Sequence, residues 1–169
     1  MKTPKFLYHS SQDRNIQVFA PRAESMRDPN EGPVVFATPS KSYSSCFIVK
    51  TDGSWVDISS WDGGETWHFV CSDKERFIEN DKGGAIYTLE NEGQFSTDSE
   101  KGTGESEWIS KDAVKPISKE EYESGLNAML SLGVKVYFVN ENQFKEIQSS
   151  SDYGFDILQT LKSFSGELA

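Results

Sequence analysis

The sequence predicts an α+β domain made of several short strands, with short helices inserted between them. Runs of β-branched and aromatic residues recur along the chain, and turn-forming residues separate them, which indicates strands. Only a few segments carry apolar residues at helical spacing. The 169 residues suit one core, because two halves of that size would each bury little apolar surface. We therefore expect a single domain over residues 1–169.

The predicted strands are short, and residues that break regular structure bound each of them. Phe6–Tyr8 is apolar and enters a polar turn, and Val34–Ala37 lies between Pro33 and Pro39. Aromatic and β-branched runs on both sides of Asp62-Gly63-Gly64 predict a hairpin. The hairpin strands are expected at 54–58 and 66–71, and further strands at 85–89, 108–110 and 134–139.

Four segments predict helices. Short helices are expected from Ser40 to Phe47 and from Ser72 to Asn80, each beginning at its serine. Ser118-Lys119-Glu120-Glu121 matches a capping box and predicts a helix that glycine 133 closes. Tyr153–Phe164 carries apolar residues on one face and predicts a final amphipathic helix. Residues 90–106 are polar and predict a long surface loop, a feature that is often functional in a compact domain.

The charge of the chain narrows the class of ligand. The formal net charge is −10, and the cationic residues are scattered without forming a basic stripe. Such a balance disfavours bulk DNA or RNA as a partner. A small nucleotide stays possible, because one or two well-placed cations can hold a diphosphate.

The cysteines, histidines and apolar runs bound the setting. Cys46 and Cys71 are expected to be two buried thiols, with a disulfide as the alternative. Two histidines and two cysteines lie far apart in the sequence, so no metal site is predicted. The few apolar residues before His9 are too short for a signal-peptide core, and no run approaches a membrane span of about 18 residues. We expect a cytoplasmic protein with no membrane partner.

Two titratable residues stand out by their settings. His9 ends an apolar strand and precedes two hydroxyl residues, where the backbone turns and can meet a ligand. A histidine that only satisfies an internal hydrogen bond is the alternative. Glu107 lies where the long polar loop meets an apolar strand. A solvated carboxylate beside Glu100 and Glu105 is its alternative.

Three short segments, taken in order, resemble motifs of poly(ADP-ribose) polymerase-type catalytic domains in the ADP-ribosyltransferase superfamily. Leu7-Tyr8-His9-Ser10-Ser11, followed by Asn15, resembles the Leu-Trp-His-Gly-Ser…Asn opening. Val35-Phe36-Ala37-Thr38, followed by Ser40-Lys41-Ser42, is similar to the Tyr-Phe-Ala and Ser-Lys-Ser of the second motif. Ser106-Glu107-Trp108-Ile109 is similar to Asn-Glu-Tyr-Ile. The resemblance implies a split β sandwich with short peripheral helices that clasps NAD in a cleft.

The resemblance also implies roles for the matching residues. His9 would hydrogen-bond the nicotinamide ribose, the Ser10 backbone would grip the carboxamide, and Ser42 would add a hydroxyl to it. Ser11 completes the first NAD-binding motif. Glu107 would hold a ribose hydroxyl, stabilise the oxocarbenium-like ribose as the nicotinamide bond breaks, and activate the acceptor.

Four positions depart from the pattern of the superfamily. Val35 stands where the second motif carries its tyrosine, beside Phe36, and Ser10 stands where the first carries glycine. Phe47 is the nearest aromatic residue that could stack on nicotinamide. The arginine of the superfamily falls on a valine, and Arg22 could replace it at the diphosphate.

Two functions follow from these residues. The first is NAD-dependent mono-ADP-ribosyl transfer or NAD glycohydrolysis, with a protein, a nucleic-acid end, a small molecule or water as acceptor. The alternative is a catalytically inactive relative that binds a nucleotide or a protein partner, which Val35 favours. Both require His9 and Glu107 to line one cleft, flanked by Phe36 or Phe47.

Overall fold

The computed structural model describes residues 2–26, 28–97 and 104–166, and it has a mixed α+β architecture. Within this part of the chain, three small sheets are surrounded by short helices. The strands are β1 (Phe6–Ser11), β2 (Val35–Ala37), β3 (Val56–Ser59), β4 (His68–Cys71), β5 (Gly84–Glu90), β6 (Trp108–Ser110), β7 (Ser118–Tyr122) and β8 (Lys135–Phe138). The helices are α1 (Lys41–Ser45), α2 (Lys74–Asn80), α3 (Gly125–Ser131), α4 (Glu141–Ser149) and α5 (Phe155–Gln159).

The first sheet has the order β1-β5-β7, and all of its pairs are antiparallel. Its central strand β5 is almost entirely buried. Glycine is required where β5 begins, because a Cβ at Gly84 would lie 2.2 Å from the carbonyl oxygen of Ser11 in β1. The close approach of the two backbones at this point fixes the register of β1.

The second sheet consists of β2 and β6 alone, paired antiparallel with Phe36 opposite Ile109. It joins the first sheet through Tyr8 and Thr38, whose backbones exchange hydrogen bonds of 2.7 and 3.0 Å. This junction sets β2 beside the middle of β1.

The third sheet has the order β3-β4-β8, with β3 antiparallel and β8 parallel to β4. The β3–β4 hairpin predicted around Asp62-Gly63-Gly64 is present, and both glycines have a positive φ. One face of the sheet packs on the largest apolar cluster, which includes Phe69, Phe77 and Met129. The other face contributes to a smaller cluster with α4 and α5.

One carboxylate joins α2 to α3. Asp81 follows the last residue of α2 and accepts four hydrogen bonds, from the backbone nitrogens of Gly83, Gly125 and Leu126 and from the hydroxyl of Ser124. Ser124 is also the N-cap of α3. Donors at the start of α3 that would otherwise lack partners are thus satisfied from α2.

The helix predicted from the capping box at 118–121 to Gly133 is present only in its second half, as α3. Its start is wrong, because residues 118–122 form β7. β7 is an edge strand on which only Tyr122 is partly buried, so no apolar alternation marks it in the sequence. Its carboxylate Glu120 forms a 2.6 Å ion pair with Lys41 of α1 and accepts a hydrogen bond from the Tyr122 hydroxyl. Pairing with β5 therefore prevails over the local capping signal.

The end of the chain also differs from the prediction. A helix over Tyr153–Phe164 was expected, but α5 covers only Phe155–Gln159, and the chain then extends so that the Phe164 nitrogen donates to the Val136 carbonyl at 2.6 Å. The helix α4 was not predicted. At α2, the N-cap is Asp73 and not Ser72.

Other expectations agree with the structure. The α+β class is present, and Cys46 and Cys71 are both buried free thiols. Burial raises the pKa of the Cys71 thiol to about 11, and it raises that of Cys46 further. No helix in the described part of the chain has the length and apolar character needed to cross a membrane. Residues 98–103 of the predicted loop lie outside the described residues.

Candidate functional site

A cavity of about 360 Å³ lies between β1, β2, α1 and the segment that precedes β6. This volume is at the lower end of the range for small-molecule sites. Five lining residues are aromatic or apolar, namely Tyr8, Phe36, Ala37, Tyr43 and Phe47. The polar lining residues are His9, Ser10, Thr38, Ser44, Ser106 and Glu107.

His9 lies inside β1, paired with Tyr87, and not at the strand end that the sequence predicted. A hydrogen bond fixes its ring at the cavity. Its Nδ1 lies 2.6 Å from the carbonyl oxygen of Phe36. A carbonyl only accepts, so Nδ1 carries the proton and Nε2 is the nitrogen left to bond a ligand. The aromatic ring of Phe19 packs against the imidazole at 4.6 Å between centroids.

The imidazole of His9 is held in its neutral form. Burial lowers its pKa below the ordinary value of 6.5, and the positive charge of Arg22 lowers it further, although the bond to Phe36 opposes both. A neutral Nε2 has a lone pair that accepts a hydrogen bond. The cavity therefore presents an acceptor at His9, with no positive charge there near pH 7.

α1 forms an aromatic wall of the cavity. Ser40 caps this helix and accepts a hydrogen bond from the backbone nitrogen of Tyr43 at 3.1 Å. The ring of Tyr43 stacks on Trp67 at 3.9 Å and meets the edge of Phe47 at 4.9 Å. Because Tyr43 is packed between these two rings, it offers a fixed aromatic surface to a ligand.

A pair of hydroxyls links α1 to β1. Ser44 is buried, and its Oγ lies 2.7 Å from the Oγ of Ser10. One of the two protons is used in this bond, so the pair keeps a second proton and further lone pairs for a ligand. Such a pair can donate to a carbonyl and accept from an amide nitrogen.

The segment before β6 brings Glu107 to the same cavity. A 3₁₀ turn over Gly104–Ser106 precedes it, and the Glu107 nitrogen donates to the Gly104 carbonyl at 3.0 Å. The Thr97 hydroxyl lies 2.9 Å from the carbonyl oxygens of both Gly104 and Glu107, and the Trp108 indole donates to the Glu105 carbonyl. The backbone around the carboxylate is thus held in place from two sides.

Five of the sequence-predicted site residues lie together at this cavity, and they are His9, Ser10, Phe36, Phe47 and Glu107. The structure therefore meets the spatial condition stated for His9 and Glu107. Their chemical roles stay predictions.

Four other predicted residues are not brought into the cavity lining. Val35 is 4% exposed and packs in the core with Leu7 and Trp108, because side chains alternate along β2 and Phe36 faces the cavity instead. Ser42 bonds to the Ser40 hydroxyl at 3.0 Å at the start of α1.

Ser11 and Arg22 also lie outside the cavity lining. The Ser11 hydroxyl accepts a hydrogen bond from the Asp13 backbone at 3.1 Å. Arg22 is exposed and bridges Val34 through its backbone, and it acts on His9 by its charge. A diphosphate contact by Arg22 therefore stays a prediction.

Sequence reasoning missed two lining residues of α1, Tyr43 and Ser44. The resemblance aligns the family's second stacking tyrosine with Ser45 or Cys46, which are both buried at 1% exposure. A signal was available, since the helix predicted from Ser40 to Phe47 sets Tyr43 and Phe47 four residues apart on one face. The position of Ser44 follows only from its contact with Ser10.

Comparison with known protein families, with curated proteins and with solved structures finds no match for this chain. The cavity itself combines a neutral imidazole, a carboxylate, paired hydroxyls and stacked aromatic rings. This set can stack against a planar ring and exchange hydrogen bonds with polar groups of a ligand. A carboxylate beside such a ligand can stabilise a developing positive charge or accept a proton.

Proposed function

We propose that the domain binds the nicotinamide–ribose end of NAD in this cavity and promotes cleavage of the bond between the two groups. ADP-ribose would pass to an acceptor in a mono-ADP-ribosyl transfer, or to water in a glycohydrolase reaction. The observation that carries the proposal is that His9 and Glu107 line one cavity together with the aromatic rings of Phe36, Tyr43 and Phe47. The proposal includes an ADP-ribosyltransferase-like fold and a cytoplasmic location.

The residues present fit the nicotinamide half of the molecule. The fixed ring of Tyr43, with Phe47 at its edge, supports stacking of a planar pyridinium. The Ser10–Ser44 pair can donate to the carboxamide oxygen and accept from its nitrogen. Neutral His9 can accept from a ribose hydroxyl, and it adds no positive charge beside the cationic ring.

Glu107 would carry the chemistry. As the nicotinamide–ribose bond breaks, the bonding electrons leave with nicotinamide and positive charge develops on the ribose. A carboxylate aimed at that charge stabilises it, and it can then take a proton from the incoming hydroxyl or amine. Arg22 is the exposed cation near His9 that we propose for the diphosphate.

The test is nicotinamide release from NAD, measured by liquid chromatography, with Glu107→Gln as the variant. This change keeps the shape of the side chain and removes its charge. We expect a loss of about 100- to 1000-fold, the scale seen when one aimed stabilising group is removed. Glu105→Gln is the matched control, because Glu105 is exposed two residues away and does not line the cavity.

Two outcomes of this test would contradict the proposal. Release that is unchanged in Glu107→Gln contradicts the assigned role of the carboxylate. No release and no thermal shift with NAD contradict the whole proposal.

A catalytically inactive domain that binds a nucleotide, or a protein partner, is the second candidate. Val35 favours it, because this position carries tyrosine in the resembling motif and here packs into the core. A thermal shift with NAD but no turnover would support this second candidate.

A further inference from the structure

A second surface, away from the cavity lining, carries four aromatic side chains, two of them exposed and two partly buried. We call Trp61, His68, Tyr153 and Phe155 the aromatic patch. Trp61 lies at its centre, with ring centroids 4.8 Å from His68 and 5.4 Å from Phe155. The Trp61 indole nitrogen donates to the carbonyl of Asp152 at 3.0 Å, which brings the chain at Tyr153 to the same surface.

Tyr153 is held outward in an unfavourable backbone conformation. Its φ is 56°, and it is the only non-glycine residue with a positive φ in the described part of the chain. The side chain is 71% exposed. Residues held in this region persist because the surrounding structure fixes them, and they concentrate at functional sites.

The turn around Tyr153 is fixed by its neighbours. Ser150 and Asp152 both accept from the Gly154 nitrogen, at 2.5 and 3.1 Å. The Asp152 carboxylate also accepts from the Asp156 nitrogen at 3.0 Å. The exposed ring is therefore presented by a defined turn and not by a loose loop.

Ionised carboxylates flank the aromatic patch. Asp62 follows Trp61, and hydrogen bonds from Thr66 lower the pKa of its carboxyl to about 2. The bond from the Asp156 nitrogen lowers the pKa of Asp152 below its ordinary value. Asp156 adds an exposed carboxylate beside Phe155. Both ends of the aromatic patch thus carry negative charge, and Lys135, the neighbour of His68 on β8, adds one positive charge.

We propose that the aromatic patch is a docking surface for an arginine-bearing segment of a partner protein. A guanidinium stacks on aromatic rings and pairs with carboxylates, and this surface offers both side by side. Aromatic residues are also enriched at the centres of protein interfaces. A second copy of this chain is a poorer occupant, because each copy carries a formal charge of −10.

Binding of a labelled peptide of alternating arginine and glycine, followed by fluorescence anisotropy, tests the docking surface. The variant is Tyr153→Gly with Phe155→Ala. Glycine tolerates the positive φ, so the change at 153 removes the ring without straining the fold. We expect about a tenfold loss of affinity, as for removal of aromatic hot spots. Phe6→Ala with Ile117→Ala is the control, because these exposed apolar side chains are not in the aromatic patch.

Three outcomes would overturn the docking surface. The first is peptide affinity that the double variant leaves unchanged. The second is equal affinity for a lysine–glycine peptide, because net charge alone would then explain binding. The third is absence of binding to the unaltered protein at low salt. None of them depends on the activity of the cavity, so the docking surface and the NAD proposal fail separately.

Discussion

Replacing His9 with phenylalanine should destabilise the protein and change how its stability depends on pH. Phenylalanine keeps a ring against Phe19 but removes the 2.6 Å hydrogen bond to the Phe36 carbonyl. A buried carbonyl left without its donor costs about 1–3 kcal/mol; this bond is only part-buried, so we expect about 1 kcal/mol at pH 7.5. With a urea dependence of about 2 kcal/mol per molar, the unfolding midpoint would fall by about 0.5 M.

The same variant isolates the protonation of His9. The folded pKa lies below the ordinary 6.5, so the unfolded chain binds a proton more readily as the pH falls. The unaltered protein should therefore lose the stability linked to His9 as the pH falls below about 6.5, toward the folded pKa. His9→Phe lacks this loss, so the difference in stability between the two proteins should narrow from pH 7.5 to pH 5.

The assay is urea unfolding followed by tryptophan fluorescence at several pH values. His68 also has a pKa lowered by burial, but it is present in both proteins, so its contribution cancels in the difference. A stability difference that stays constant between pH 7.5 and 5 would refute the assignment of a buried, neutral His9. Equal stability of the two proteins at pH 7.5 would refute the importance of its bond to Phe36.

Three further predictions concern the scaffold. Asp81→Asn replaces an oxygen that accepts hydrogen bonds with a donor group, so the free energy of unfolding in urea should fall by about 3 kcal/mol. A fall of under about 1 kcal/mol would contradict the bonding described. Gly84→Ala should lower the free energy of unfolding by about 3 kcal/mol or more, because the new Cβ would clash with the Ser11 backbone. A folded variant of unchanged stability would show that the backbone relieves this clash at little cost. Cys46 and Cys71 should resist iodoacetamide at pH 8 in the native protein and react with it in urea, as measured by mass spectrometry. Rapid labelling of the native protein would contradict their burial and raised pKa values.

The strands around the cavity could be predicted because their signals are local. β1, β2 and β6 are apolar or β-branched runs with turn-forming or polar residues at their ends, so composition alone locates them. Glu107 stood out by its place directly before β6, as observed. His9 stood out because the sequence predicted a strand end there, but β1 continues to Ser11, since pairing with β5 extends the strand through polar residues. Their approach to one cavity could be stated only as a condition, because it depends on pairing between distant strands.

Elements that depend on tertiary partners were less predictable. β7 is a charged edge strand whose conformation comes from pairing with β5, so its sequence resembles a helix start instead. In α4, only Phe144 and Ile147 are buried, which is too few apolar positions to reveal a helix. The role of Tyr43 as an aromatic wall depends on its stack with Trp67, which lies far along the chain. These features are set by contacts that no short window of sequence contains.

The second sheet joins two sides of the cavity through one short strand pairing. β2 and β6 are paired over only three residue pairs, yet β2 carries Phe36 and β6 directly follows Glu107. Because the pairing is short, we expect it to open at a smaller free-energy cost than unfolding of the whole domain. When β2 and β6 are unpaired, the two sides of the site are apart. The measured affinity for a ligand is then the intrinsic affinity multiplied by the fraction of molecules in which the strands are paired. The backbone of Ile109 bonds to Ser96, so the amides that face β2 are those of Trp108 and Ser110. Ligand binding should then slow amide hydrogen exchange at these two residues, while β5 at the centre of the first sheet changes little.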